Sequence, residues 1–334
     1  MKKWTIFALI CDILAILGFV ITYLIPGVKE TVVMTALNTK THQWIAYTFY
    51  SEEDINEIVK GDSFTPLTDD VDLDKIVLDN KERDSYDDEY DEAILTRDPG
   101  NKDYKLLNIR VGGYDAYLVA IYDPSKVGLI HSKVFNTPNG TGKEQIPKMC
   151  ERYGAKVCVN GGMFVDNGLG SDIPMGYIIK DSKIIWQDHD GPANLIGFTN
   201  DNKLMLINST GEEAIENGMK DALEFGPFLI VNGKSIEYNS SVGGYSRAAR
   251  VAIGQRKDGT VLFLVTDGTH AFGPNMTEII DTLKKYKAYN AANLDGGSST
   301  QLAINGKLVN NPKNVFGQSI VGGRAVVSGF GLIP

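Results

Sequence analysis

From Tyr104 onward the apolar residues of this chain come in short runs, and that texture constrains its fold more than any other feature. The runs are Ala116-Tyr117-Leu118-Val119-Ala120-Ile121-Tyr122, Lys156-Val157-Cys158-Val159, Gly176-Tyr177-Ile178-Ile179, Phe228-Leu229-Ile230-Val231, Val261 to Val265 and Ala325-Val326-Val327, punctuated by Gly, Asn and Asp. β-Branched and aromatic side chains fit a pleated, half-buried surface, and Gly, Asn and Asp tolerate the turns between strands. Asn232-Gly233, Asp258-Gly259 and Asn305-Gly306 have the composition of tight hairpins. Two segments have helical spacing: 142–153, and one starting near Asn275 or Thr277 with Ile279, Ile280, Leu283 and Tyr286 on one face. The pattern predicts an α+β fold, a sheet-rich single globular domain with few helices, over residues 104–334.

The N-terminus has a different texture. Trp4 to Ile25 is a nearly unbroken apolar run of 22 residues, which as a helix spans about 33 Å against a bilayer core of roughly 30 Å. Asp12 interrupts it at a cost of about 2.5–3.5 kcal/mol, which the surrounding Ile, Leu, Val and Phe residues outweigh. Lys2 and Lys3 precede the run. The expectation is an uncleaved transmembrane helix with residues 4–25 in the lipid bilayer, a cytoplasmic N-terminus (1–27 as stub and anchor), and everything after it outside the cell. A cleaved signal peptide is the alternative. Residues 28–103 read as a short helical stalk followed by an acidic linker. Ser51-Glu52-Glu53-Asp54 resembles a capping box with Ile55, Ile58 and Val59 behind it, and Asp69 to Asp103 holds fourteen acidic residues against five basic ones.

Composition excludes some classes of function. A net charge of −9 gives no support for a nucleic-acid partner. Cys11, Cys150 and Cys158 are too few for a disulfide framework, although Cys150 and Cys158 can pair outside the cell. No Cys-x-x-Cys or His-x-x-x-His spacing points to a structural zinc, and His42, His131, His189 and His270 are far apart. No cofactor is expected, with a divalent cation left open.

The chemistry concentrates near the C-terminus. In Asn293-Leu294-Asp295-Gly296-Gly297-Ser298-Ser299-Thr300 an apolar run leads into one carboxylate, two glycines and three hydroxyls. Glycines let the backbone turn sharply and approach a ligand, and bare amides and hydroxyls suit phosphate or sugar oxygens. Three more runs end alike: Val159-Asn160-Gly161-Gly162, Thr266-Asp267-Gly268 and Val321-Gly322-Gly323-Arg324. If they converge on one sheet edge, they line a pocket with Asn, Asp, Arg and bare amides. Arg247 and Arg250 precede another strand, Val251-Ala252-Ile253-Gly254, and an arginine fork can bind a phosphate bidentately. Asp267 and Asp295 together suggest the paired carboxylates of glycosidic cleavage.

These segments resemble the phosphodiester glycosidase family over roughly Tyr104 to Pro334. The strongest likeness is Asn293 to Thr300. Val159-Asn160-Gly161-Gly162-Met163-Phe164, Gly226-Pro227-Phe228-Leu229-Ile230-Val231-Asn232-Gly233, Arg250-Val251-Ala252-Ile253-Gly254 and Gly322-Gly323-Arg324-Ala325-Val326 follow the family's order. Thr269, Met163 and Ser298 depart from its pattern. The resemblance implies a glycosidase that hydrolyses a sugar 1-phosphodiester, and the expected outward-facing anchor would place it in an extracytoplasmic setting of cell-wall or exopolysaccharide metabolism. Asp295 would be the catalytic carboxylate and Asp267 the second candidate. Arg250, Arg324, Gly296, Gly297 and Ser298 would hold the phosphodiester, and Asn160 with Gly161 would orient sugar or phosphate. The alternatives are a non-catalytic binder of glycosyl phosphodiester polymers, and a metal-assisted phosphodiesterase with Asp267, Asp295 and Glu278 as ligands.

Overall fold

The computed structural model describes residues 2–25, 27–37, 43–79, 81–137, 142–166, 172–238, 246–269, 272–314 and 316–334. The chain forms two compact units, Met1–Phe64 with Glu237–Arg247, and Thr65–Ile236 with Ala248–Pro334.

The first unit contains the helices Lys2–Leu24, Val28–Leu37, Gln43–Phe49 and Glu52–Gly61. Val33, Met34, Ala46, Tyr50, Ile55 and Ile58 form its small core. Ser51 caps the last helix, its side chain accepting from the Asp54 N–H, as the capping-box spacing predicts; Val59 stays exposed. The membrane-anchor expectation is corrected here. A helix does form over the segment, but among the described residues no helix is long and apolar enough to cross a membrane. Asp12 sets a carboxylate near the middle of this helix, at a cost of about 2.5–3.5 kcal/mol in lipid, and Thr22 adds a hydroxyl near its end. The transmembrane helix, the bilayer partner and the single-pass topology are therefore withdrawn.

Among the described residues the second unit has three large antiparallel sheets and a two-stranded ribbon, Phe164–Asp166 with Asp172–Pro174. The largest runs in the order Tyr104–Val111, Tyr114–Ile121, Val261–Thr266, Val251–Arg256, Ala288–Leu294, Phe228–Val231 and Lys234–Ser235. A second sheet joins Leu204–Ser209, Ala193–Thr199, Met219–Glu224, Ile178–Lys180 and Lys183–Trp186. The third joins Lys307–Leu308, Leu302–Ile304, Val157–Asn160, Ser328–Leu332 and Val127–His131. One core unites them. Ile253, Phe263 and Leu294 from the first sheet meet Ile196, Phe198 and Leu223 from the second and Val159, Leu302 and Phe330 from the third. The central strands Val251–Arg256, Val261–Thr266 and Ala288–Leu294 are buried along their whole length, which explains why such segments read as continuous apolar runs rather than alternating ones.

The hairpin readings hold where φ can be inspected: Asn232 and Gly233 lie at +55° and +80°, and Asn305 and Gly306 at +49° and +70°. Helix Met276–Lys285 carries a full capping box from Asn275 and Glu278. Segment 142–153 is helical only over Ile146–Arg152, with Pro147 in its first turn. Ala325-Val326-Val327 is not a strand; Val326 makes one bridge to Glu144, and pairing begins at Ser328.

The acidic stretch after Thr65 is not a bare spacer. Asp91, 1% exposed, receives a hydrogen bond from the buried Arg256 at 2.5 Å, and Arg256 also bonds Asp258. Lys287 bonds Asp87 at 2.9 Å and lies 3.3 Å from Asp88, and Ile76 and Ile94 are fully buried. The negative charges that suggest a solvated linker are partners of basic residues far along the chain.

Candidate active site

Register assembles the site. Val251 pairs with Leu294 on one side and Val265 on the other. Arg250, Asp267 and Asp295 therefore leave the same end of neighbouring strands. The third sheet reaches this end through Asn160, whose Nδ2 donates to the Asp295 carbonyl at 2.7 Å while its Oδ1 accepts from the Gln301 N–H at 2.8 Å. The Asp295 N–H donates to the Gly161 carbonyl at 2.8 Å. Asn160 is 1% exposed and both ends of its amide hold backbone, so it positions the Asp295 turn.

After Asp295 the chain enters a single 3₁₀ turn, Gly297–Ser299. Gly297 takes φ +59°, which a side chain disfavours, and its N–H donates to the Ala249 carbonyl at 2.8 Å. That amide is not available to an anion. Gly296 is needed for space: a Cβ there would lie 2.7 Å from the Ala249 carbonyl oxygen. Its N–H donates to the Asp295 carboxylate. Ser298 is buried within the turn.

Asp295 is the most perturbed carboxylate of the site. Burial pushes its pKa up to about 6, against the hydrogen bond from Ser299, the charge of Arg324 and the Gly296 N–H, which pull it down. Ser299, 1% exposed, links the group together: its Oγ accepts from Arg324 Nη1 at 3.0 Å and its hydroxyl donates to Asp295. Arg324 also lies 4.8 Å over the Phe164 ring, and its carbonyl accepts from Gln301 at 2.7 Å. It sits in a turn after Gly322 and Gly323, at φ +75° and +83°, rather than on a strand. The charge acting on Asp295 is thus Arg324. Ser299 escaped the sequence reading, although it stands in the hydroxyl cluster that drew attention to Ser298.

Arg250 lies beside this turn through its backbone. Its N–H donates to Thr266 Oγ1 at 2.9 Å, and its Cα would be 3.7 Å from a Cβ on Gly296. Asp267 leaves its strand two positions across the sheet from Asp295, roughly 10 Å at the usual strand spacing. Its carboxylate accepts from the Asn311 N–H at 2.8 Å. Burial raises its pKa, hydrogen bonds from Asn311 and Asn310 oppose this, and Asp115 adds to the rise. Asp267 is not among the charges acting on Asp295. Among the described residues no three His, Cys, Asp or Glu side chains form a group able to hold a metal ion, so Asp267, Asp295 and Glu278 are not assembled as a ligand set.

The fold is that of a known class. The catalytic domain of zebrafish N-acetylglucosamine-1-phosphodiester alpha-N-acetylglucosaminidase, solved in a form auto-inhibited by its pro-peptide, superposes with a TM-score of 0.56, covering 70% of this chain and 82% of that one at 21% identity. Residues 153–333 match the phosphodiester glycosidase family, and the chain belongs to that family of hydrolases. Among curated relatives, the human N-acetylglucosamine-1-phosphodiester alpha-N-acetylglucosaminidase is 30% identical over 177 residues, 48% of this chain and 34% of that protein. The SPbeta prophage-derived uncharacterized protein YomE of Bacillus subtilis is 27% identical over 201 residues, 57% of this chain and 30% of that protein. The chain thus spans about a third of the length of the curated relatives it matches.

Proposed function

We propose that this chain hydrolyses a sugar 1-phosphodiester at the bond between the anomeric carbon and the phosphate-linked oxygen. The observation that carries the reading is Asp295, held at about 6 by burial and linked through Ser299 to Arg324. A phosphate monoester takes up its second proton near pH 6, so a carboxyl of matching pKa can pass it a proton at little cost. Arg324, joined by Arg250 at the head of strand Val251–Arg256, would hold the phosphodiester anion, and Phe164 lies against the Arg324 fork.

The C1–O bond breaks, its electron pair goes to the phosphate oxygen, and that oxygen takes the Asp295 proton. Water adds to the oxocarbenium-like C1 and gives a proton to the Asp295 carboxylate, which resets the site. Asn160 and Gly161 act on this chemistry by fixing the Asp295 turn. Asp267 keeps a supporting role at the same sheet end.

The relatives' names support a glycosyl phosphodiester as substrate class. The Cys150–Cys158 disulfide supports an oxidising, extracytoplasmic setting, and in such a setting the substrates would be wall polymers or exopolysaccharide. The test is hydrolysis of a panel of sugar 1-phosphodiesters in 18O-labelled water. Label on the anomeric hydroxyl of the released sugar supports the reading. Label on phosphorus replaces it with a phosphodiesterase.

A further inference from the structure

A pocket of about 280 Å³ is lined by Met163, Met175, Asn194, Glu224, Phe225 and Gly226. Two connections tie it to the catalytic turn. Asn293, two residues before Asp295, donates from Nδ2 to the Gly226 carbonyl at 3.0 Å. Gly161, two residues before Met163, accepts from the Asp295 N–H at 2.8 Å.

Glu224 is the charged side chain of this lining, and the chain is built around it. Its Oε2 accepts from the Tyr177 N–H at 3.2 Å and from His189 Nε2 at 3.0 Å. The Gly191 N–H donates to His189 Nδ1 at 3.2 Å. That nitrogen is therefore an acceptor, and the ring proton sits on Nε2, aimed at Glu224. Tyr177 packs edge-on against the imidazole at 5.0 Å. Gly176, at φ +76°, leaves room: a Cβ there would stand 2.2 Å from Glu224 Oε2. With Oε2 engaged, Oε1 has no protein partner among the described residues. Asn194 complements it. Its Oδ1 accepts from Asn208 Nδ2 at 2.8 Å, and its own Nδ2 lies beside Gly226, 3.2 Å from the position of a Cβ there.

The pocket offers one anionic acceptor and one amide donor above thioether and aromatic surface. Sugars match that chemistry: hydroxyls reach the carboxylate and amide, while C–H faces cover Met163, Met175 and Phe225. An acidic sugar would set a second carboxylate against Glu224, and like charge in a specificity pocket selects against it.

We propose that this pocket is the glycosyl subsite and that it takes a single neutral sugar ring with a hydroxyl or amide N–H directed at Glu224, rejecting uronic-acid sugars. The proposal rests on the glycosidase reading, because a glycosyl subsite has to present that ring's anomeric carbon to Asp295. Glu224 binds the ring, and His189 positions Glu224.

The test uses the full chain with Glu224→Gln and Met175→Trp, the latter at a 40% exposed position that tolerates a larger side chain. Hydrolysis is measured on methyl phosphodiesters of glucose, N-acetylglucosamine and glucuronic acid. Binding of methyl glucoside, methyl N-acetylglucosaminide and methyl glucuronide is measured separately by ligand-observed NMR. The expected results are a neutral-sugar preference of about tenfold or more in the wild type, a loss of about tenfold or more in kcat/KM for neutral sugars in Glu224→Gln with a narrower preference, and loss of methyl glycoside binding in Met175→Trp. Wild-type turnover and binding in both variants, or a wild-type preference for glucuronyl substrates, overturns the subsite and leaves the glycosidase reading standing. Methyl glycosides that bind wild type and are lost in the variants, with no phosphodiester hydrolysed, support the subsite and overturn the glycosidase reading.

Discussion

Asp295 concentrates the physics of the site. Its folded pKa lies above its ordinary value of 3.8, so the folded state binds more protons than the unfolded state between about pH 4 and pH 6. The carboxyl's contribution to stability is fully present below pH 4 and is lost as pH rises through 6. Asp295→Asn removes a half-buried, desolvated charge, so its melting temperature should exceed the wild type's at pH 7 and match it at pH 3.5. Equal differences at both pH values would place the effect elsewhere. Ser299→Ala removes the donor that lowers the Asp295 pKa and the acceptor that holds Arg324. Its activity should fall by roughly tenfold to a hundredfold, the range set by losing a hydrogen bond to a buried charged group, and its pH midpoint should move upward. A reduced rate with an unmoved midpoint would mean that Ser299 supports the turn without touching the carboxyl.

At the scale of elements, the disulfide joins helix Ile146–Arg152 to strand Val157–Asn160 across a loop of eight residues. A loop of that size is worth about 2–3 kcal/mol in chain entropy. Cys150→Ala with Cys158→Ala should cost that much in denaturant unfolding, and no measurable loss would show that the packing of the two buried side chains suffices. The strand runs, the three hairpins and the helix after Asn275 were legible in the sequence because each depends on neighbours in the chain. Segment 325–327 was misread because a β-branched run says nothing about whether a partner strand lies within reach. The Asp295 turn and Arg324 were legible as chemistry, since glycines and hydroxyls crowd around one carboxylate. Their connection was not: Ser299 links them only because Asn160 and Gln301, far apart in sequence, fold the two segments together. The family order of motifs offers Arg250 and Arg324 together, and the fold shows which of the two acts on the Asp295 charge, Arg324.

At the scale of the whole chain, charge pairing defeats a reading from composition. Fourteen acidic residues between Asp69 and Asp103 suggest a spacer, yet Asp91 and Arg256 form a pair with side chains 1% and 5% exposed. Burial raises the Asp91 pKa, and the hydrogen bonds and charge of Arg256 outweigh it to leave the net value lowered. Removing Asp91 leaves Arg256 its bonds to Asp258, so the loss is that of one hydrogen bond to a charged group, about 1.5–3 kcal/mol. Asp91→Ala should therefore destabilise the second unit by that amount in chemical denaturation, and a chain begun at Asp98 should melt lower than one begun at Thr65. Equal stability would return the acidic stretch to the status of a spacer.

The central claim is that Asp295 gives a proton to a leaving phosphate, and it meets its most direct test in one pH–rate profile. kcat/KM for a sugar 1-phosphodiester that the wild type hydrolyses should fall as pH rises through about 6, where Asp295 loses its proton. In a folded Asp295→Asn variant the rate should drop by roughly 10²–10⁴-fold and that limb should vanish. A well-folded Asp295→Asn variant that keeps wild-type turnover, with the same limb near pH 6, would contradict the account.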